Sequence, residues 1–302
     1  FLYCAFSNRK DAKILEYKLN KTDARTGKQS TIYISGGIGH ISLKLHETDA
    51  DPILQLTCCR KITTASWLQC KGVEVNSEDR ITSCHHEYNV EWEQIDPYEC
   101  NQTPKPKIMG FDIEVNSSNP AKMPDASDPR DEIFQISCVI STEGFDDKKY
   151  ILSLGDPIQD MVGDNVVIVK CASESKLLSS YCDLIKDEKV NIISGYNILG
   201  FDIPYMINRA ELNNLGKFAK QGFANMKAEQ RTIKWSSSAY GVQEFEFLDA
   251  EGRLYVDLLP LVRRDYKFNN YKLKTISEYF IGATKDPLSV QGIFKCYRIG
   301  TK

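Results

Sequence analysis

The segment Ile108–Val115 constrains the chain most, because it has the pattern of a β-strand whose two faces differ in chemistry. Successive side chains of a strand point to opposite faces. Phe111 and Ile113 therefore share one face, and Asp112 and Glu114 share the other. Two carboxylates on one face of an apolar strand repel each other unless a cation or water stabilises them. The pattern predicts either a divalent cation site with oxygen ligands or the exposed face of an amphipathic strand.

The length of 302 residues allows one large domain or two ordinary ones. A hydrophobic content of 42% indicates a globular protein with a sizeable core. No apolar run approaches the roughly 20 residues that a membrane span needs, and residues 1–6 lack the features of a signal peptide. The chain starts with Phe1 and ends at Lys302, so we expect it to be a piece of a longer protein.

Ten cysteines are present, and none of them forms a Cys-x-x-Cys motif. The cluster Cys84, His85 and His86 lacks a second half at zinc-finger spacing. We therefore expect reduced intracellular thiols without a bound metal. The net charge of −3 gives no general attraction to nucleic acid, so contact with DNA would need local basic patches or metal ions in an acidic cleft.

Prolines at 104 and 106 break regular structure and predict a domain boundary near residue 105. Before it, short strand-like runs alternate with charged stretches; the runs are 32–34, 41–45, 66–75 and 88–92. After it, a polar loop at 116–131 and a helix at 173–189 separate further strands, at 133–140, 149–153, 166–169 and 191–194. Strands interleaved with helices predict an α/β or mixed α+β architecture.

A second acid lies where the strand at 191–194 passes into another helix. Asp202 occupies the position expected of an N-cap, and Pro204 follows in the first turn, where its missing N–H costs nothing. Helix capping is therefore the structural alternative to a catalytic role for Asp202. A turn position is the corresponding alternative for Asn197.

Several stretches, in this order along the chain, resemble family B DNA polymerases. Phe-Asp-Ile-Glu at 111–114 and Gly-Tyr-Asn-x-x-x-Phe-Asp-x-Pro-Tyr at 195–205 are similar to the first two motifs of their 3′→5′ proofreading exonuclease. Residues 252–267 and 271–280 resemble the same family. The resemblance covers roughly residues 66–302, is strongest to delta-type enzymes and polymerases of large DNA viruses, and leans towards the viral side.

The resemblance implies a ribonuclease-H-like exonuclease domain at 105–302, preceded at 1–104 by part of a mostly β N-terminal polymerase domain. It implies that Asp112, Glu114 and Asp202 hold two Mg²⁺ or Mn²⁺ ions, whose task is to activate a water and stabilise the leaving oxygen. It also implies that the protein binds a single-stranded 3′ end and primer–template DNA, and that a sliding-clamp processivity factor binds outside these residues. The expected location is the nucleus or a cytoplasmic viral replication site, without secretion.

The same resemblance assigns contacts with the 3′-terminal nucleotide. Asn197 would donate or accept hydrogen bonds through its amide, and Phe201 would stack on a frayed base. Tyr196 is a third candidate for substrate binding, with a buried core position as its alternative.

The third exonuclease motif of the family, which carries a Tyr and a fourth acid, is not matched within these 302 residues. Asp257 does not fit that motif and is predicted to end a strand and support the site without touching the metals. Asp265 is predicted to be a surface or ion-paired residue beside Arg263 and Arg264. We therefore expect residues 1–302 alone to be a weak or inactive nuclease.

Two basic stretches interleaved with aromatic residues suit a single-stranded DNA groove, with a solvated surface as the alternative. The first basic patch comprises Lys217, Lys220, Lys227, Arg231 and Lys234, and the second comprises Arg263, Arg264, Lys267, Lys272 and Lys274. Leu273, Ile276 and Phe280 recur at helical spacing and predict a core-facing stripe. Two competing functions remain open: a stand-alone exonuclease of the same fold, and a DNA-binding module that has lost catalysis.

Overall fold

In this computed structural model, a first compact unit comprises residues 1–73 and 88–101, and a second comprises 74–87 and 102–302. The structure describes residues 9–21, 25, 31–34, 39–41, 51–63, 65–157, 163, 165–237, 241–283 and 288–299. The assignment of residues 1–104 to an N-terminal polymerase domain and of residues 105–302 to an exonuclease domain stays a prediction.

The residues before the boundary contain helices as well as strands. The elements are α1 (Arg9–Asn20), β1 (Ile32–Ile34), β2 (Gly39–Ile41), α2 (Pro52–Arg60), β3 (Leu68–Glu74) and β4 (Tyr88–Pro97). The strands at 32–34, 66–75 and 88–92 agree with the prediction, whereas residues 42–45 lie outside the described part. Both helices were missed; α2 begins with Pro52 after the capping side chain of Asp51, a signal that the sequence did contain.

The second unit contains the remaining elements. They are β5 (Ile108–Val115), β6 (Ile133–Ser141), β7 (Lys148–Leu154), β8 (Val166–Cys171), α3 (Glu174–Asp187), β9 (Ile192–Gly195), α4 (Asp202–Leu212), β10 (Glu229–Ser237), β11 (Gly241–Asp249), β12 (Leu254–Asp257), α5 (Leu258–Asp265), α6 (Leu273–Ile281) and α7 (Val290–Ile299). A short 3₁₀ helix lies at Gly216–Ala219. The predicted strands and the helix at 173–189 are confirmed, and so is the mixed α/β class.

Six strands form one mixed sheet in the order β12-β9-β5-β6-β7-β8. The strands β12, β9 and β5 run parallel to one another, β6 is antiparallel to both of its neighbours, and β7 and β8 are parallel. The acid-bearing strand β5 is therefore central, with β9 on one side and β6 on the other. Strands β10 and β11 form a separate antiparallel hairpin, which the sequence did not predict.

Helix α3 supplies much of the core beneath this sheet. Ser173 caps it by accepting from the Lys176 N–H, and Leu177, Leu178 and Tyr181 are buried on one face. The Tyr181 ring contacts Phe111 of β5, with 5.5 Å between centroids. The apolar face of the acid-bearing strand is thereby held against a helix.

Two sequence expectations concern the chain as a whole. Of the helices that the structure describes, none is both long and apolar enough to cross a membrane. The nine described cysteines are free thiols, and those at 138, 171 and 182 are buried.

Candidate functional site

The candidate residues gather at one edge of the sheet. Because β5, β9 and β12 are parallel, their carboxyl ends meet at the same edge, which is where open α/β sheets commonly bind ligands. The register places Asp257 level with Gly195, the last residues of β12 and β9. The acids of β5 therefore share this edge with the turn that follows β9.

The strand β5 has the two-faced pattern that the sequence predicts. Phe111, Ile113 and Val115 are each 5% exposed, whereas Asp112 is exposed and Glu114 is half-buried. The apolar side chains face the core, so both carboxylates lie on the other face. This placement agrees both with an exposed face of an amphipathic strand and with a cation site. The position of Asp202 distinguishes these two interpretations.

Asp202 is the first residue of α4 and is only 4% exposed. Its Oδ1 accepts from the Ile113 N–H at 3.2 Å, beyond Gly110, where the pairing of β9 with β5 ends. The N-cap residue is Phe201, and no side chain caps the helix. The capping alternative for Asp202 is therefore wrong, because its carboxylate leaves the helix end to contact the acid-bearing strand.

The electrostatics of Asp202 are those of a buried acid near another acid. Burial, reinforced by the negative charge of Asp112, raises the pKa of Asp202 to about 7, against the opposing effect of the Ile113 hydrogen bond. Asp257 adds a smaller effect in the same direction. A cation near these carboxylates would stabilise the ionised form.

The turn at 195–200 is fixed by its backbone. Asn197 has a φ of 66°, in the left-handed region that Asn tolerates better than most residues. A Cβ on Gly195 would lie 2.9 Å from the Phe111 carbonyl oxygen, and one on Gly200 would lie 2.7 Å from the Asn197 Oδ1. Asn197 thus occupies a turn, as its structural alternative predicts, and its side chain is exposed at the site.

Asp257 holds this turn from the neighbouring strand. Its carboxylate accepts from the Asn197 N–H at 2.8 Å, from the Leu199 N–H at 3.0 Å and, as the cap of α5, from the Leu259 N–H at 2.9 Å. It is 5% exposed and ends β12, where the sequence predicts a strand end. These contacts leave Asp257 as an organiser of the turn.

The two aromatic candidates differ in their surroundings. Phe201 is half-buried beside the ring of Tyr205, with 5.6 Å between centroids. Tyr196 is also half-buried, and its hydroxyl donates to the Tyr271 carbonyl oxygen at 2.6 Å. Burial raises the pKa of Tyr196. Tyr196 therefore links the turn to the segment that precedes α6.

Sequence reasoning missed a buried ion pair close to this site. Arg209 of α4 is 2% exposed and forms two hydrogen bonds with Glu174, the first residue of α3, at 2.8 and 2.6 Å. Asp202, Tyr205 and Arg209 recur at helical spacing on one stripe of α4, which is the signal that could have found the pair.

The acids fit a divalent cation by their chemistry. Carboxylate oxygens are the ligands that Mg²⁺ and Mn²⁺ prefer, and buried Asp202 lies beside an acid of like charge. Within the described ranges, however, no three acidic, histidine or cysteine side chains already have the close arrangement of a metal-binding cluster. The carboxylate ligands are therefore present, but in the described residues they do not have the close arrangement that would hold a metal ion.

These observations define an α/β domain with an acidic candidate site at the carboxyl edge of parallel strands. Residues 43–276 match the family model for the exonuclease domain of family B DNA polymerases, and the chain belongs to that family. Exonuclease domains of this family generally depend on divalent metal ions. The family predicted from the sequence motifs is thereby confirmed.

Three curated relatives illustrate the range of similarity. DNA polymerase 120R of Invertebrate iridescent virus 3 is 44% identical over 88% of this chain and 24% of its own length. DNA polymerase 037L of Invertebrate iridescent virus 6 is 34% identical over 100% of this chain and 24% of its own length. The DNA polymerase delta catalytic subunit of Plasmodium falciparum is 28% identical over 91% of this chain and 28% of its own length. The chain thus spans about a quarter of the length of these relatives.

Proposed function

We propose that the chain is the 3′→5′ proofreading exonuclease region of a family B DNA polymerase of viral type. On this proposal residues 105–302 have a ribonuclease-H-like fold, and residues 1–104 are part of a mostly β N-terminal polymerase domain. The observation that carries the proposal is the burial of Asp202 against β5, beside Asp112, within the segment that matches the exonuclease family. An aspartate that only caps a helix or faces water would need neither the hydrogen bond from the Ile113 N–H nor the proximity of Asp112.

Asp112, Glu114 and Asp202 are the proposed ligands of two Mg²⁺ or Mn²⁺ ions. When bound, such ions supply a nucleophilic water and stabilise the leaving oxygen of the terminal phosphodiester. Asp202 is held in place by the Ile113 N–H, whereas the two acids of β5 lie on its more open face. We expect the side chains of Asp112 and Glu114 to turn towards Asp202 when cations bind.

The turn at 195–200 is the proposed site of the 3′-terminal nucleotide. Asn197 projects from a backbone that Asp257 fixes with two hydrogen bonds, so its amide is presented to a ligand with little freedom to lose. Phe201 follows at the start of α4, where its ring would stack on an unpaired base. Tyr196 contributes to this site by anchoring the neighbouring segment.

The second basic patch is the better candidate for contact with single-stranded DNA. In the first patch, Lys217, Arg231 and Lys234 form ion pairs with acids. In the second patch, Arg264 is paired with its neighbour Asp265. In the second patch the Arg263 guanidinium lies 5.5 Å from the centre of the Tyr271 ring. Basic side chains beside aromatic rings suit a flexible strand with stacked bases.

Helix α6 presents aromatic surface beside this patch. Tyr279 and Phe280 are 63% and 45% exposed, and their rings contact those of Tyr266 and Phe268. The prediction of a core-facing stripe is correct for Ile276, which is 5% exposed, and wrong for Phe280 and for Leu273, which is 42% exposed. The exposed rings extend the surface on which bases could stack.

A non-catalytic DNA-binding module of the same fold is the second candidate. It is favoured by one observation, that the described acids do not form a ready metal-binding cluster. DNA polymerase activity, primer–template DNA as substrate, a sliding-clamp partner and a location in the nucleus or at a cytoplasmic viral replication site are proposals for the whole protein.

The experiment follows the degradation of a 5′-labelled primer with a mispaired 3′ end by the natural full-length protein. Stepwise loss from the 3′ end is expected, and Asp112→Ala or Asp202→Ala should remove it. Asp156→Ala is the control, because Asp156 is exposed, is paired with Lys170 and lies outside both basic patches. Asp265 is exposed and paired with Arg264, as predicted. Residues 1–302 alone are expected to be weak or inactive. Unchanged degradation by Asp112→Ala would refute the catalytic assignment, and DNA binding without any degradation would favour the non-catalytic module.

A further inference from the structure

The strand pairing is irregular beside one of the two acids of β5. Glu114 pairs with Gln135, but Val115 pairs with Ile133, so Phe134 is an extra residue on β6. A β-bulge of this kind bends its strand and re-aims neighbouring side chains, and such bulges are frequent next to active sites. Whatever fixes the bulge therefore affects where the Glu114 carboxylate lies.

Glu174 holds the strand next to the bulge. Its Oε1 accepts from the Ile133 N–H at 2.7 Å, at the first residue of β6. The same carboxylate accepts two hydrogen bonds from Arg209 and one, at 2.8 Å, from the Asn213 side-chain amide. A buried acid with four hydrogen bonds thus connects the bulged strand with α4.

Arg209 connects the same point to the loop that leaves β5. Its remaining N–H groups donate to the carbonyl oxygens of Ala126, Asp128 and Pro129, at 3.2, 2.7 and 3.4 Å. Together with the two hydrogen bonds to Glu174, these contacts use all five guanidinium N–H groups. These carbonyl oxygens lie near the end of the loop at 116–131, shortly before β6 begins at Ile133, so Arg209 fixes the path by which the chain enters the bulged strand.

The helix α4 brings these contacts together with the candidate site. Asp202 lies against β5, Tyr205 donates to the Asp131 carbonyl oxygen at 2.7 Å, and Arg209 holds the loop and Glu174. The three residues follow one stripe of a single helix, which behaves as a rigid element. The position of Asp202 is thereby tied to that of the bulge beside Glu114.

A buried ion pair is a poor way to gain stability, because well-packed apolar residues in its place are often neutral or stabilising. The pair does supply what apolar residues cannot, namely directed hydrogen bonds to one strand and one loop. We propose that Glu174 and Arg209 are positioning residues that set where Glu114 lies relative to Asp202, an inference that rests on the proposed exonuclease function.

The test uses the natural full-length protein and the double variant Glu174→Gln/Arg209→Met. The double variant carries no unpaired buried charge and keeps an acceptor for the Ile133 N–H, but it loses the contacts to the loop. We expect it to melt close to the wild type, while kcat for removal of a mispaired 3′ nucleotide falls about tenfold or more and KM for DNA stays within about twofold. A folded double variant with wild-type kcat would overturn the proposal.

A second variant keeps the test decisive if the double variant does not fold. Arg209→Lys retains the charge beside Glu174 but cannot span three carbonyl oxygens as well. It should lower kcat and, in metal-free protein, speed hydrogen exchange of the Ile133 amide and the amides of residues 116–131. A folded Arg209→Lys variant with unchanged kcat and unchanged exchange would also overturn the proposal.

Two controls separate the possible failures. Asp156→Asn/Lys170→Met removes an exposed ion pair of β8 that lies outside both basic patches, and it should leave kcat unchanged. Asp202→Asn tests the underlying function. If the Asp202→Asn variant degrades DNA as fast as the wild type, the exonuclease assignment itself is rejected. If Asp202→Asn abolishes degradation but the Glu174/Arg209 variants keep full activity, only the positioning role is rejected.

Discussion

Replacement of Asp202 by Asn should stabilise the metal-free protein, and the gain should depend on pH. The pKa of Asp202 is raised from its ordinary value of 3.8 to about 7, so the folded protein binds a proton more tightly than the unfolded chain does. The resulting penalty is absent below pH 4, grows as the pH rises towards 7 and is constant above it. A shift of this size corresponds to about 4 kcal/mol at pH 8. The Asn side chain avoids the penalty and can still accept from the Ile113 N–H.

The assay is thermal unfolding in the presence of a chelator, from pH 4 to pH 8. At pH 8 the Asp202→Asn variant should melt roughly 10 °C above the wild type, since 1 kcal/mol shifts a domain of this size by about 2–4 °C. At pH 4 the two should melt together. Asp265→Asn is the matched control and should show no such gain, because the exposed Asp265 carboxylate is paired with Arg264, which lowers its pKa. A difference between Asp202→Asn and wild type that is the same at both pH values would refute the reasoning.

Three further predictions concern the surroundings of the site. Asp257→Ala should lower the affinity for a single-stranded 3′ end, measured by fluorescence anisotropy, because the turn at 195–200 loses two hydrogen bonds; unchanged affinity would count against its organising role. Lys272→Ala/Lys274→Ala should reduce the slope of log affinity against log salt by about 1.4, and an unchanged slope would assign the second basic patch to a solvated surface. Gly195→Ala should lower the melting temperature, because the new Cβ would lie 2.9 Å from the Phe111 carbonyl oxygen; an unchanged melting temperature would show that the turn relaxes freely.

Local patterns were sufficient for the parts of the fold that carry strong periodicity. The alternation in β5 gave the two faces of the strand, and the apolar repeat of α3 gave its buried side. The strand end at Asp257 also agrees with prediction. In each case the burial of a few side chains is set by residues close in sequence, so a short window contains the necessary information.

The remaining features depend on contacts between distant residues. The pairing of β12 with β9 brings residue 254 beside residue 192, and no local pattern specifies it. The same holds for the ion pair of Glu174 and Arg209, which are 35 positions apart. Charged residues along β10 and β11 concealed a hairpin in which ion pairs such as Arg231 with Asp249 and Lys234 with Glu244 form across the two strands.

The most direct test of the central claim is Mn²⁺ binding to the 302-residue protein, followed by the electron paramagnetic resonance signal of the free ion. The wild type should bind Mn²⁺, and Asp112→Ala/Glu114→Ala should weaken binding about tenfold or more, because two of the three proposed ligands are lost. Binding avoids any interference from contaminating nucleases. Equal affinity of the wild type and the double variant would contradict the claim that the acids of β5 and Asp202 form a cation site.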